Sequence, residues 1–197
     1  MLIDARLNAK GKQQVSALRR PSTERIELAQ VQALHQRVLE KKLHESIQVV
    51  ITSPLTRAIE TALGGFEGTG IPIQVNPLCR EMLDASCDVG RQPAELAREF
   101  EARGVDMSKL SEYWWLNTPT DETKIIPHTP KELKALKETM NDMEARVRRF
   151  LAEIEALPES TLAVVCHGDF ISWLTSTYPA NCAIVKTTLR QLWAQRQ

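Results

Sequence analysis

The sequence has no net charge, because 25 lysines and arginines balance 25 aspartates and glutamates. An even balance gives no long-range pull toward a polyanion, which excludes a general electrostatic case for nucleic acid or an anionic membrane, so any anion site must be local. Long apolar runs are lacking as well. The clearest, Leu162 to Cys166, falls far short of the about 20 residues that a bilayer-spanning helix needs, so no membrane partner is expected. Met1-Leu2-Ile3-Asp4-Ala5-Arg6 has neither an apolar signal core nor an Arg/Ser-rich transit pattern, which makes the cytoplasm the expected location. Cysteine is scarce, and Cys79, Cys87, Cys166 and Cys182 form no Cys-x-x-Cys pair. That argues against a disulfide framework or a zinc site, and no metal or cofactor is expected. Neither Gly-x-Gly-x-x-Gly nor a Walker loop occurs. What remains is ordinary for a single globular domain: 43% hydrophobic and 25% charged residues in 197, enough to bury a core.

Apolar spacing alternates between strand and helix signals. A short helix is expected over Lys10 to Arg19, and a longer one from Ser22 to about Glu45 with Ile26, Ala29, Val31, Leu34, Val38 and Leu39 inward. Ile47, Val49, Val50 and Ile51 read as a strand buried on both faces. Ser53-Pro54 then opens a helix that Gly64-Gly65 ends. Ile71 to Val75 reads as a second strand, Pro93 opens another helix, and residues 104–128, with Tyr113-Trp114-Trp115, read as irregular. Thr129-Pro130-Lys131-Glu132 is a capping box opening one long helix that runs to Pro158, with Leu133, Leu136, Met140, Met143, Val147, Phe150 and Ile154 inward. Leu162 to Cys166 reads as the third and clearest buried strand, and Ala183 to Trp193 as a final edge strand. Alternating strands and helices predict a three-layer α/β/α domain without repeats or linkers.

In open α/β sheets ligands bind beyond the carboxyl ends of the strands, and three such ends carry polar residues. Arg57 lies in the opening turn of a helix, where a cation gains nothing from the macrodipole unless an anion sits nearby; the plainer alternative is an arginine reaching to solvent. Glu81, after the second strand, is either half of a solvated Arg80-Glu81 pair or a half-buried carboxyl with a raised pKa that can act as a general acid. His167 leaves a buried strand just before Gly168 and a helix N-terminus, and is either a cleft-facing imidazole or a hydrogen-bonded core residue. His35, His44 and His128 sit on charged or capping segments and are expected to have no catalytic part. Asp4, Arg6, Asp84 and Asp88 are polar candidates that composition does not rank.

Taken together the segments resemble the histidine phosphatase superfamily, the phosphoglycerate mutase-like proteins. Asp4-Ala5-Arg6-Leu7-Asn8-Ala9-Lys10-Gly11 is similar to the family's Asp-x-x-Leu-Thr-x-x-Gly segment. Thr52-Ser53-Pro54-Leu55-Thr56-Arg57-Ala58-Ile59-Glu60-Thr61-Ala62 resembles its Ser-Pro-Leu-x-Arg-x-x-x-Thr-Ala segment, Leu78-Cys79-Arg80-Glu81 its Leu-Arg-Glu, and Val164-Val165-Cys166-His167-Gly168 its second-histidine motif. The resemblance implies phosphoryl transfer from a small phosphorylated metabolite through a phosphohistidine. Arg57 would bind the phosphoryl oxygens, His167 would bind and donate to them in the transition state, and Glu81 would protonate the leaving group.

The family's nucleophile stands in an Arg-His-Gly motif at the end of a first, central strand, and that motif does not occur in these 197 residues. The resemblance therefore implies a domain whose central first strand is missing, N-terminally incomplete, with little or no phosphatase activity of its own. Loss of that strand is expected to leave its two neighbours with open apolar edges. The alternative is a catalytically dead relative that binds a phosphate ester or a protein partner, and a homodimer is a further possibility. Asp169, a carboxylate next to a phosphate site, is expected to point away and cap the following helix.

Overall fold

The computed structural model describes residues 22–196. The expected helix at 10–19 and the candidates Asp4 and Arg6 lie outside the described residues. In chain order the elements are α1 (Ser22–Glu40), β1 (Val49–Thr52), α2 (Thr56–Gly65), β2 (Ile73–Val75), α3 (Pro93–Phe100), β3 (Val105–Asp106), α4 (Pro130–Leu136), α5 (Met140–Glu155), β4 (Leu162–Val165), α6 (Gly168–Thr175) and α7 (Leu189–Ala194). The four strands form one parallel sheet in the order β3-β2-β1-β4.

β1 explains the layering. Its side chains alternate across the sheet, as the two-residue period of a strand requires. Val50 packs on one face with Leu34 and Val38 of α1, Ile59 of α2 and Phe100 of α3. Val49 and Ile51 pack on the other with Met143, Val147 and Phe150 of α5, Phe170 of α6 and Leu192 of α7. Helices therefore cover both faces, the three-layer α/β/α arrangement expected from the sequence. Each such buried aliphatic or aromatic side chain contributes about 1.5 to 3 kcal/mol.

Close approach of α1 to α2 depends on two glycines. A Cβ on Gly64 would lie 2.5 Å from Val31 Cγ1, and one on Gly65 would lie 2.8 Å from Leu34 Cδ2. These residues end α2, as expected, but what they provide is room for α1 and not a left-handed cap.

Several expectations need correction. The long helix after Thr129 is two helices. Thr129 and Glu132 form the first capping box, and a second one, in which Thr139 Oγ1 accepts from Asp142 N (3.2 Å) and Asp142 Oδ2 accepts from Thr139 N (2.9 Å), restarts the chain as α5. Met140, expected inward, is consequently an exposed first-turn residue. Ala183 to Trp193 is not a strand: Thr188 caps a short helix there, α7, its hydroxyl accepting from Gln191 N. The irregular segment contains a strand that the sequence reading missed, β3, only two residues long and paired with β2. α1 stops at Glu40, because Lys42 adopts a left-handed conformation (φ 52°) before a single turn of 3-10 helix.

The sheet is also not split in two. β1 and β4 pair directly, Val49 to Thr52 against Leu162 to Val165, so neither loses its partner on that side. Among the described residues β4 pairs with β1 alone, and all four of its residues are only half-buried. Its outer edge is unpaired among those residues.

Candidate active site

Because the sheet is parallel, β1, β2 and β4 all release their chains at the same end. Arg57, Glu81 and His167 leave from those three ends, and the field of Arg57 reaches both of the others.

Ser53 joins the first and third. Directly after β1 its N–H donates to Val165 O (3.0 Å) and its hydroxyl accepts from Leu55 N (3.3 Å), which turns the chain into α2. The same hydroxyl lies 2.8 Å from His167 Nε2. His167 is 8% exposed, and burial, reinforced by Arg57 and Arg146, holds it well below the usual imidazole pKa, so it is neutral near pH 7. With Nε2 engaged, Nδ1 is the ring nitrogen left for a ligand. Gly168 is a place of close approach, as its sequence position suggested, since a Cβ there would come within 3.0 Å of the Tyr178 hydroxyl.

Arg57 is neither loose in solvent nor unpartnered. Its Nη1 donates to Cys87 O (2.8 Å) and its Nη2 to Asp88 Oδ1 (2.9 Å). Asp88, left unranked by the sequence, is mostly buried; its other oxygen accepts from Ala85 N (3.1 Å), so it orders its own turn while aiming the guanidinium. Such a pair can exchange a carboxylate for a phosphoryl group, because both offer the guanidinium an anionic oxygen as acceptor.

Glu81 follows the turn at Pro77–Cys79, where Asn76 Oδ1 accepts from Leu78 N (2.8 Å). Burial, with lesser contributions from Asp169 and Asp88, pushes its carboxyl up to about 7, against the lowering effects of a hydrogen bond from Met82 N (3.0 Å) and of Arg57. A carboxyl divided between its two forms at neutral pH can both give and take a proton. Arg80, its neighbour, is no surface partner: it is buried and donates to Trp115 O, Pro77 O, Asn117 Oδ1 and Glu138 Oε1.

Asp169 does not cap α6. The N-cap position belongs to His167, and the Asp169 carboxylate, in the first helical turn, lies close enough to Glu81 to raise its pKa. Asp84 pairs with Lys137 on the surface (2.6 Å). The remaining histidines are elsewhere: His35 Nδ1 meets Gly65 O, His44 Nδ1 meets Val38 O, and His128 is exposed. All four cysteines are free, and burial pushes Cys166 up to about 12, which keeps that thiol protonated. Among the described residues no group of three or more His, Cys, Asp or Glu is arranged to hold a metal ion, and no helix is long and apolar enough to cross a membrane.

Sequence reasoning missed Arg146. It stands on the inward face of α5 between Met143, Val147 and Phe150, so a charged residue on an otherwise apolar stripe was the available signal.

Comparison with known proteins puts these residues in context. Phosphoglycerate mutase-like protein 1 of Arabidopsis thaliana is 30% identical over 166 residues, covering 78% of this chain and 59% of that protein. A probable phosphatase of Schizosaccharomyces pombe is 31% identical over 126 residues, 62% of this chain and 51% of its own length. The chain thus spans about half to three fifths of the curated relatives it matches. Among solved structures, the ecdysone phosphate phosphatase of Bombix mori superposes with a TM-score of 0.45 at 18% identity, covering 83% of this chain and 64% of that one. The model of the histidine phosphatase superfamily, branch 1, matches residues 24–181. A match of that length runs through the ends of β1, β2 and β4, and the chain belongs to that superfamily.

Proposed function

We propose that this chain forms the phosphate-binding and proton-transferring part of a phosphoglycerate mutase-like phosphatase acting on small phosphate esters. The observation that carries the reading is the convergence of Arg57, Glu81 and His167 at one end of a parallel sheet, where burial pushes the Glu81 carboxyl up to about 7. Arg57 exchanges Asp88 for two phosphoryl oxygens, and His167 Nδ1 holds a third. A histidine nucleophile forms the N–P bond as the ester P–O bond breaks, and the leaving oxygen takes the Glu81 proton. Water then attacks phosphorus, gives its proton to the Glu81 carboxylate and releases phosphate and the free histidine.

The nucleophile in this reading is none of the four histidines of the chain, since His35, His44 and His128 lie on other surfaces and His167 is bound to Ser53. A strand seated along the open edge of β4 would end beside His167, the place from which a nucleophile attacks a phosphoryl group held by Arg57. Charge supports the same division. Arg57 is paired with Asp88, and Asp169 adds negative charge around a partly ionised Glu81, so the described site lacks the surplus of positive charge that a phosphate needs, and an arginine arriving with that strand supplies it. These 197 residues alone are therefore expected to bind phosphate weakly and to turn nothing over.

The test uses the 197-residue chain with inorganic phosphate and p-nitrophenyl phosphate. Millimolar phosphate raises the Tm of the wild-type chain and not of Arg57→Ala or His167→Ala, with no hydrolysis and no acid-labile phosphoprotein. A Tm rise that persists in both variants, or none in the wild type, removes the phosphate site; turnover by the wild-type chain shows that the nucleophile is within it.

A further inference from the structure

We propose that Arg146 is the positioning residue of this site, its buried guanidinium fixing the main chain that carries Glu81 and joining it to the helix that follows His167. This rests on the reading of Glu81 as the general acid. Arg146 is 1% exposed. Its Nη1 donates to Leu78 O and to Arg80 O, both at 2.8 Å, and its Nη2 to Glu81 O at 3.4 Å. Three of the four carbonyls from Leu78 to Glu81 thus converge on one cation, and the chain curls around it.

The opposite edge of the guanidinium grips Glu138, with Nε at 2.7 Å from Oε1 and Nη2 at 2.6 Å from Oε2. Glu138 continues the clamp past Glu81: its Oε2 accepts from Leu83 N (3.3 Å) and its own N–H donates to Leu83 O (3.0 Å). The turn bearing Glu81 is therefore tied at one end to α5 through Arg146 and at the other to the α4–α5 junction through Glu138. The Arg146 guanidinium also lies 5.4 Å from the Phe170 ring centroid, in the first turn of α6, three residues after His167. A cation over an aromatic face adds to that contact.

Burying two arginines against one carboxylate is costly, and well-packed apolar residues stabilise as well or better in many proteins. What apolar residues cannot do is collect three carbonyls and so hold one backbone conformation. Arg146 does not touch the Glu81 carboxyl, which Met82 N holds. It acts on where that carboxyl sits and how little water reaches it. The charged and titratable groups facing Glu81 are Arg57 of α2, Asp88 of the intervening loop, Asp169 of α6 and Cys166 at the end of β4, and none of them is itself substituted when Arg146 is changed.

The experiment follows the Glu81 carboxyl by 13C NMR in glutamate-labelled protein, assigned with Glu81→Gln. Two variants are compared with the wild type: Arg146→Lys, which keeps the charge and loses the forked grip, and Arg146→Met combined with Glu138→Gln, which leaves no buried carboxylate without its cation. Arg80→Met is the control, since it removes a buried arginine of the same network that bonds neither the Glu81 carbonyl nor Phe170. Loosening the turn admits water to Glu81, so its midpoint moves down by about one pH unit in the lysine variant and further in the double variant, while the control stays near the wild-type value. An unchanged midpoint in either folded variant overturns the positioning role and leaves Glu81 as the acid. A wild-type midpoint in the ordinary carboxylate range overturns both readings. Loss of folding in both Arg146 variants also contradicts the proposal, because Arg146 would then be a core support with no separable effect on Glu81.

Discussion

β1 and β4 run side by side in register, with similar apolar sequences, Val-Val-Ile-Thr and Leu-Ala-Val-Val, and yet they differ in burial. β1 is covered on both faces and flanked on both sides, and none of its residues exceeds 3% exposure. Among the described residues β4 has a partner on one side only, and it is half-buried throughout. Composition made Leu162 to Cys166 the clearest interior strand, but burial is a property of neighbours as well as of side chains. Among the described residues the contrast places one edge of the sheet, that of β4, beside His167.

The first way to sharpen the comparison is to truncate a register pair. Ile51 and Val164 face each other across the ladder. Ile51→Ala removes side-chain volume from a closed core and costs about 2 to 5 kcal/mol, whereas Val164→Ala, on the half-open strand, costs about 1 kcal/mol or less; urea denaturation of both reads the difference. Equal losses would mean that β4 is as enclosed as β1.

A second prediction concerns charge at these strand ends. Glu81 has its folded pKa raised to about 7 from 4.5, so the folded state binds more protons than the unfolded one between those values and stability falls as pH rises through them. Glu81→Gln removes that fall and makes the protein more stable above pH 7 by up to about 3 kcal/mol. Denaturation curves at pH 5 and pH 8 suffice to check it. His167 acts in the opposite sense: its depressed pKa means that stability is lost as pH falls below about 6.5, where the unfolded imidazole takes a proton that the folded one refuses.

Smaller still is the link between the two strands. Ser53→Ala removes the hydroxyl that serves both Leu55 N and His167 Nε2 and is expected to cost about 1 to 2 kcal/mol. In a double-mutant cycle with His167→Ala most of that cost disappears; full additivity would mean that the contact carries no energy. Smallest is Asp169→Asn, which removes one of the charges that raise Glu81 and lowers its titration midpoint without loss of stability, as NMR titration would show.

Much of this architecture was legible in the sequence, because strand and helix periods, proline at first helical positions and capping boxes are local signals. They marked β1, β2, β4 and most of the helices. The restart at Thr139 was also written locally, as a second Thr-x-x-Asp box, but the apolar spacing that runs across it hid the break. β3 is two residues long, and two residues show no period. For the site, the strand-end rule singled out Arg57, Glu81 and His167, and the fold delivers all three to one end. Their partners Ser53, Asp88, Glu138 and Arg146 were not legible as such, since each acts across a sequence separation of 30 residues or more or from a position that resembles a cap or a core stripe.

The most direct test of the central claim, that Arg57 and His167 jointly hold a phosphoryl group, is a phosphate titration of the 15N-labelled chain observed at the His167 ring nitrogens. The account predicts that phosphate shifts Nδ1, raises the imidazole pKa from its depressed value and does neither in Arg57→Ala. Ring signals that stay unmoved while the chain binds phosphate would place the anion elsewhere and contradict it.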